Sequence, residues 1–180
     1  AMQELDIPVE LTGSNHSTGT ERVAEVASRH KDEIVINIQG DEPFISPDII
    51  DGAVLLLLEE KSIQMSTAAS LYLSQDEWEN PNVVKVELDD DGFAKDFFRV
   101  PEGEQSTKHL KHIGIYTFRR EYLLKLVKME KSSREIERSL EQMRAMDIDC
   151  KMGVFVTEYD VIGVNTPDDL NALIEDMGIA

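Results

Sequence analysis

Ile34-Val35-Ile36-Asn37-Ile38-Gln39-Gly40-Asp41-Glu42-Pro43 is the stretch that decides the fold. It begins as a short apolar run rich in β-branched residues, the pattern of a strand buried on both faces of a parallel sheet, and it stops abruptly at Gly-Asp-Glu-Pro. In open α/β sheets, ligands bind beyond the carboxyl ends of the strands. Two carboxylates delivered there by a tight turn are candidates for holding a hard cation against a phosphate-bearing substrate. Gly40 permits close backbone approach and Pro43 stiffens the exit. The competing reading is that Asp41 and Glu42 simply serve the start of a helix near Pro47.

Composition narrows the classes. The 180 residues are 41% hydrophobic, enough for one substantial core and one domain spanning residues 1–180. Thirty-six acidic against 18 basic residues give a formal charge of −18. No basic stripe exists to replace counterions along a nucleic acid. A small polyanion remains a suitable ligand where a divalent metal carries part of its charge. A single cysteine, Cys150, excludes an intrachain disulfide, and no apolar run is long enough to span a bilayer, so a cytoplasmic protein without membrane contact is expected.

Upstream of the central strand, Ile7 to Thr12 reads as a short strand. The small-residue loop Gly13 to Gly19 then leads into a helix capped by Thr18 or Thr20, with Val23, Val26 and Ala27 at helical spacing. Such a loop suits either a phosphate or a plain connection. Arg22, in the first helical turn, opposes the helix dipole and so points to an anion or an acidic partner.

Downstream, Pro47 to Lys61 is a predicted helix and Met65 to Leu73 a strand. Val83 to Leu88 and Phe93 to Val100 are strands joined by Asp89-Asp90-Asp91-Gly92, a solvated hairpin turn rather than a calcium loop. In the strand His112 to Phe118, residues His112, Gly114, Tyr116 and Phe118 share one face. Helices are expected at Glu121 to Lys128 and Ser133 to Met146, the second burying Ile136, Leu140, Met143 and Met146. On it, Glu137 and Glu141 lie one turn apart, relieved either by a hydroxyl-rich ligand or by Arg134, Arg138 and Arg144. A strand from Lys151 to Thr157 and a helix capped by Thr166 close the chain. Alternating strands and helices, interrupted by adjacent strands, predict a mixed sheet or a small antiparallel lobe set into an α/β body.

Six motifs now stand in order: Thr18-Gly19-Thr20-Glu21-Arg22, Asn37 to Pro43, Asn80-Pro81-Asn82-Val83-Val84-Lys85-Val86, His112-Ile113-Gly114-Ile115-Tyr116, Leu140-Glu141-Gln142-Met143-Arg144 and Gly163-Val164-Asn165-Thr166-Pro167-Asp168-Asp169. Together they resemble the 3-deoxy-manno-octulosonate (Kdo) cytidylyltransferases, also called CMP-Kdo synthetases. The resemblance implies a doubly wound, Rossmann-like nucleotidyltransferase fold with an inserted strand-rich lobe, about residues 93–118, that contributes to a homodimer. It implies transfer of CMP from CTP to Kdo or a related sugar acid, with release of pyrophosphate, for lipopolysaccharide biosynthesis. The resemblance implies in-line attack by the sugar hydroxyl, with no covalent nucleophile needed, so Cys150 is expected to be inert packing.

The same resemblance implies that Asp41 holds catalytic Mg²⁺, with Asn165 where the family has a second metal aspartate. Gln39, His112, Tyr116, Glu141 and Gln142 would line the sugar pocket. Arg22 would stand near the nucleotide, and Arg99 would meet the sugar as a catalytic residue. Three departures accompany it. The family's opening strand, with its Pro-Ala-Arg and Gly-Lys-Pro segments, has no counterpart before Ala1. Asn165 offers a neutral oxygen in place of a charged one. The family's Phe-Ser-Arg and the basic stretch after it are here Phe97-Phe98-Arg99-Val100-Pro101-Glu102-Gly103-Glu104. The alternative is a non-catalytic homologue that keeps the sugar-acid pocket or the dimer interface.

Overall fold

A computed structural model describes residues 5–161, 163–164 and 166–176. The elements run α1 (Gly19–Ala27), β1 (Ile34–Ile38), α2 (Pro47–Glu59), β2 (Met65–Ser70), α3 (Gln75–Glu79), β3 (Lys85–Leu88) and β4 (Ala94–Phe98), followed by β5 (His109–Arg119), α4 (Arg120–Leu126), α5 (Ser133–Arg138), α6 (Met143–Met146), β6 (Met152–Thr157) and α7 (Pro167–Asp176). Among the described residues the strands form one mixed sheet in the order β4-β3-β5-β2-β6, with β1 also paired to β5.

β5 is the spine. Along one edge it runs antiparallel to β2, which in turn runs parallel to β6. Along its other edge it changes partner: Ile115 to Arg119 pair with β1, and His109 to Lys111 pair with β3. Between the two, β5 bulges, because Thr67 faces Tyr116 while the next residue, Ala68, faces Ile113. α2 packs one face of the sheet through Ile49, Ala53 and Leu57, all fully buried. The opposite face carries a larger core that includes Val86, Phe97, Phe118, Leu123 and Met143.

Several expectations are corrected here. Among the described residues β1 pairs with β5 alone, and antiparallel, rather than as a strand buried on both faces of a parallel sheet: Ile36 and Ile38 are 38% and 40% exposed. Its other face turns toward α1, where buried Asn37 donates to Thr20 Oγ1 at 3.4 Å. Ile7 to Thr12 is not a strand, since no neighbouring chain among the described residues offers it a ladder.

The helix expected over Ser133 to Met146 breaks into α5 and α6. Ser139 takes a left-handed conformation at φ 53°, which ends α5, and Ile136 is 65% exposed instead of buried. Glu137 and Glu141 therefore do not share a helix face, and the three arginines pair elsewhere. Arg138 meets Asp96 at 2.7 Å, Arg134 meets Asp147 and Asp96, and Arg144 forms a buried bidentate pair with Glu135 at 2.6 and 2.7 Å. Helix α3 adds to the elements expected from the sequence, and Ser74 and Glu77 form a reciprocal capping box at its start.

Other readings hold. Thr18 caps α1, Pro47 opens α2 behind the Ser46 cap, and Thr166 and Asp169 cap α7 reciprocally. The turn after Asp89 is a solvated hairpin turn, with Gly92 at φ 84° and Asp89 Oδ1 accepting from Asp91 N and Phe93 N.

Candidate active site

The partner change along β5 leaves His112, Ile113 and Gly114 between β1 and β3, and a cavity of about 420 Å³ opens there. The turn after β1 supplies Gln39, Asp41 and Glu42; the turn before β3 supplies Asn80 to Val84; Arg99 follows β4. The 139–142 segment and the loop between β6 and α7 close the far wall.

The backbone left open on β5 is satisfied from the turn after β1. Gln39 N–H donates to Gly114 O at 2.8 Å, and Gly114 N–H donates to Glu42 Oε1 at 2.7 Å. A Cβ at 114 would lie 3.0 Å from Glu42 Oε1 and 3.1 Å from Gln39 Cβ, tighter than ordinary contact, so a larger residue there would push these side chains outward. Burial raises the Glu42 carboxyl above its ordinary value against the pull of the Gly114 N–H, and the Asp41 charge adds to it. Asp41 itself is exposed at the rim, and its carbonyl accepts from Val164 N–H at 2.8 Å, which ties the β6–α7 loop to the turn.

His112 and Tyr116 stand together, ring centroids 5.4 Å apart. Thr67 Oγ1 lies 2.7 Å from Ile115 O and 2.8 Å from His112 Nε2. The hydroxyl has one proton, which goes to the carbonyl, so it accepts from His112 Nε2–H and leaves Nδ1 as the ring's acceptor. Burial, with the Arg99 charge, lowers the His112 pKa to about 3, so the imidazole is neutral at physiological pH. Burial and the Glu141 charge push the Tyr116 phenol up, which keeps it a hydrogen-bond donor. Gln142 is buried and its Nε2 lacks a partner among the described residues.

Lys111, absent from the sequence reading, is buried in one wall and donates to Asp160 at 2.6 Å and Glu77 at 2.8 Å. Burial opposes its charge, but these two carboxylates hold it above its ordinary value. A lone lysine in an alternating strand gave no signal of this triad. Its carboxylates are 34 residues before and 49 after it.

The structure thus brings Gln39, Asp41, Arg99, His112, Tyr116, Glu141 and Gln142 to one cavity. Glu141 also reaches across to α1, where its oxygens accept from Gly19 N at 3.3 Å and Thr20 N at 3.2 Å. Arg22 stands apart from the cavity lining and donates to Thr12 Oγ1 at 2.7 Å and Gly13 O at 3.1 Å, neutral acceptors rather than an acidic partner. Asn165 lies outside the described residues. Cys150 is half-buried and its thiol is pushed up by burial, as inert packing requires. Among the described residues no helix is long and apolar enough to cross a membrane, and no cluster of three or more His, Cys, Asp or Glu side chains forms a preassembled metal cage.

A mixed sheet with a polar cleft at the strand ends and an acidic turn on its rim defines a nucleotidyltransferase-type α/β protein. The architecture is shared with the 4-diphosphocytidyl-2C-methyl-D-erythritol synthase of Anaerococcus prevotii (TM-score 0.61, 15% identity, 98% of this chain and 74% of that one). The cytidylyltransferase family model matches residues 1–152. The 3-deoxy-manno-octulosonate cytidylyltransferase of Geobacter sulfurreducens is 40% identical over 182 residues, covering 93% of this chain and 73% of the relative. A solved CMP:2-keto-3-deoxy-manno-octonic acid synthetase in complex with CTP superposes with a TM-score of 0.88 at 30% identity, over 98% of this chain and 75% of that one. The chain belongs to the 3-deoxy-manno-octulosonate cytidylyltransferase family.

Proposed function

We infer that this chain transfers CMP from CTP to Kdo, releasing pyrophosphate, and that the cavity beside β5 receives the sugar acid. The reaction yields the activated sugar used in lipopolysaccharide synthesis. The observation that carries the pocket assignment is the meeting of a neutral imidazole, a protonated phenol, an unpartnered Gln142 amide and the Arg99 guanidinium in one 420 Å³ cavity. The first three hydrogen-bond hydroxyls without adding charge, and the guanidinium complements the sugar carboxylate. Held there, a sugar hydroxyl is oriented for in-line attack on the nucleotide's α-phosphorus, and the gain comes from positioning.

Asp41 is the residue suited to Mg²⁺. One exposed carboxylate on the cavity rim, with water and substrate phosphates filling the remaining positions, matches how this ion is usually held. When bound, Mg²⁺ would neutralise charge on the phosphate oxygens. Glu42 Oε1 is committed to Gly114 N–H, which leaves its buried Oε2 without a hydrogen-bond partner among the described residues. The β3–β4 hairpin and the adjoining part of β5 form the inserted lobe, and exposed Leu71 shares a groove with Pro101 beside it. This lobe is the proposed homodimer contact, tested by sedimentation of the chain against its Leu71→Glu and Val100→Glu variants, both changed at exposed positions beside the lobe. The free thiol of Cys150 fits the reducing cytoplasm.

The test is pyrophosphate release from CTP and Kdo with Mg²⁺, against a sugar-free control. Sugar-dependent release is expected. Kdo binding without release would make the chain a binding homologue, and absence of both would overturn the reading.

A further inference from the structure

Two cations share one turn at the edge of the cavity. Residues Asn80 to Val83 lead from α3 into β3, and their four carbonyls are divided between the two. Lys85 Nζ donates to Asn80 O at 3.0 Å and Val83 O at 2.8 Å, while Arg99 Nη1 donates to Pro81 O at 3.3 Å and Asn82 O at 3.4 Å. The third bond of the Lys85 ammonium goes to the backbone carbonyl of Arg99 itself. Lys85 is 0% exposed, and among the described residues no carboxylate pairs with it.

Burying an ammonium against neutral dipoles alone is unfavourable, since each carbonyl returns only part of the lost hydration. A methionine of similar length would fill the same space without that cost. The arrangement does, however, fix three things at once: the turn Asn80 to Val83, the end of β4, and the distance between them. Arg99 is held by long bonds to neutral acceptors and forms no ion pair among the described residues, so its charge stays available to the cavity.

We propose that Lys85 is a positioning residue for Arg99: its three carbonyl bonds lock the turn and the strand end that aim the guanidinium at the substrate's carboxylate. This rests on the reading of the cavity as the sugar-acid pocket, and Lys85 itself touches no substrate. Charge in Lys85 also matters, because three donors require the protonated amine. Burial and the Arg99 charge lower its pKa, so the carbonyls work against a real tendency to neutralise.

The first measurement needs no variant. In the wild-type chain, Lys85 Nζ should show trans-hydrogen-bond couplings to the carbonyl carbons of Asn80, Val83 and Arg99 by NMR, and their absence overturns the proposal. In Lys85→Met the Arg99 Nε–H resonance should shift or broaden while other arginine signals stay. The KM for Kdo should rise about tenfold, with kcat and the KM for CTP within twofold. An unmoved Arg99 resonance, or an unchanged KM for Kdo in an active variant, overturns it. The two NMR readings do not depend on turnover, so a wild-type chain that releases no pyrophosphate would count against the proposed function and leave the Lys85 assignment to be decided by them.

Discussion

Glu42 Oε1 accepts the backbone N–H of Gly114, and a side chain thereby completes the ladder that β1 and β3 leave open along β5. The contact joins the acidic turn to the strand that carries His112 and Tyr116. A Cβ at 114 would press on both Glu42 and Gln39. Gly114→Ala should therefore lower stability by about 1–3 kcal/mol in urea unfolding and raise the KM for Kdo, because turn and strand must separate. Glu42→Gln keeps an oxygen for the amide and should cost less than Gly114→Ala.

The neutral imidazole gives a pH signature. The His112 pKa falls from 6.5 in the unfolded chain to about 3 in the folded one, so between these values the unfolded state binds the extra proton. Stability from this group is complete above pH 6.5 and is lost as pH falls toward 3, at up to about 1.4 kcal/mol per unit. Comparing urea unfolding of wild type and His112→Gln at pH 7 and pH 5 should show the smaller acid loss in the variant. Equal losses would contradict the neutral, buried state.

Glu141 has two tasks, since it lines the cavity and accepts from the first amides of α1. Glu141→Ala should cost about 1 kcal/mol as a lost cap and also raise the KM for Kdo. Glu141→Gln keeps an acceptor but loses the charge that favours a helix N-terminus, so it should fall between wild type and Ala in unfolding experiments.

For the metal, Asp41→Asn should raise the Mg²⁺ concentration giving half-maximal pyrophosphate release by ~10-fold or more, since one charged ligand is exchanged for a neutral one. The fold should be unaffected, because Asp41 is exposed and its structural bond is through its backbone carbonyl. Chelation by EDTA should abolish release from the wild-type chain.

The sequence made legible what local chemistry dictates. The Gly-Asp-Glu-Pro turn, the Thr18 and Thr166 caps and the Asp89 hairpin each announce themselves within four or five residues. Strand context was not local. Whether Ile34 to Ile38 lies inside or at the edge of the sheet depends on partners 77 or more residues away, and β-branched residues suit both. The break at Ser139 was hidden because Ile136 before it and Leu140 and Met143 after it keep a helical spacing; only the buried pairing of Glu135 with Arg144 shows why the chain turns back. Lys85 and Lys111 read as ordinary strand lysines, and their roles rest on carbonyls and carboxylates that the fold delivers from elsewhere.

The double partnership of β5 also governs how the cavity comes into being. Its walls are drawn from residues 39 to 169, and the turn after β1, the start of β3 and Lys111 are placed directly by this one strand, whose pairings reach back to Ile34 and, through β2, forward to β6. Such long-range closures are entropically slow and mutually dependent. The cavity therefore has no smaller folding unit of its own. A chain that has not yet closed β1, β2 and β3 around β5 holds no partial site, and substrate can stabilise only the fully assembled sheet.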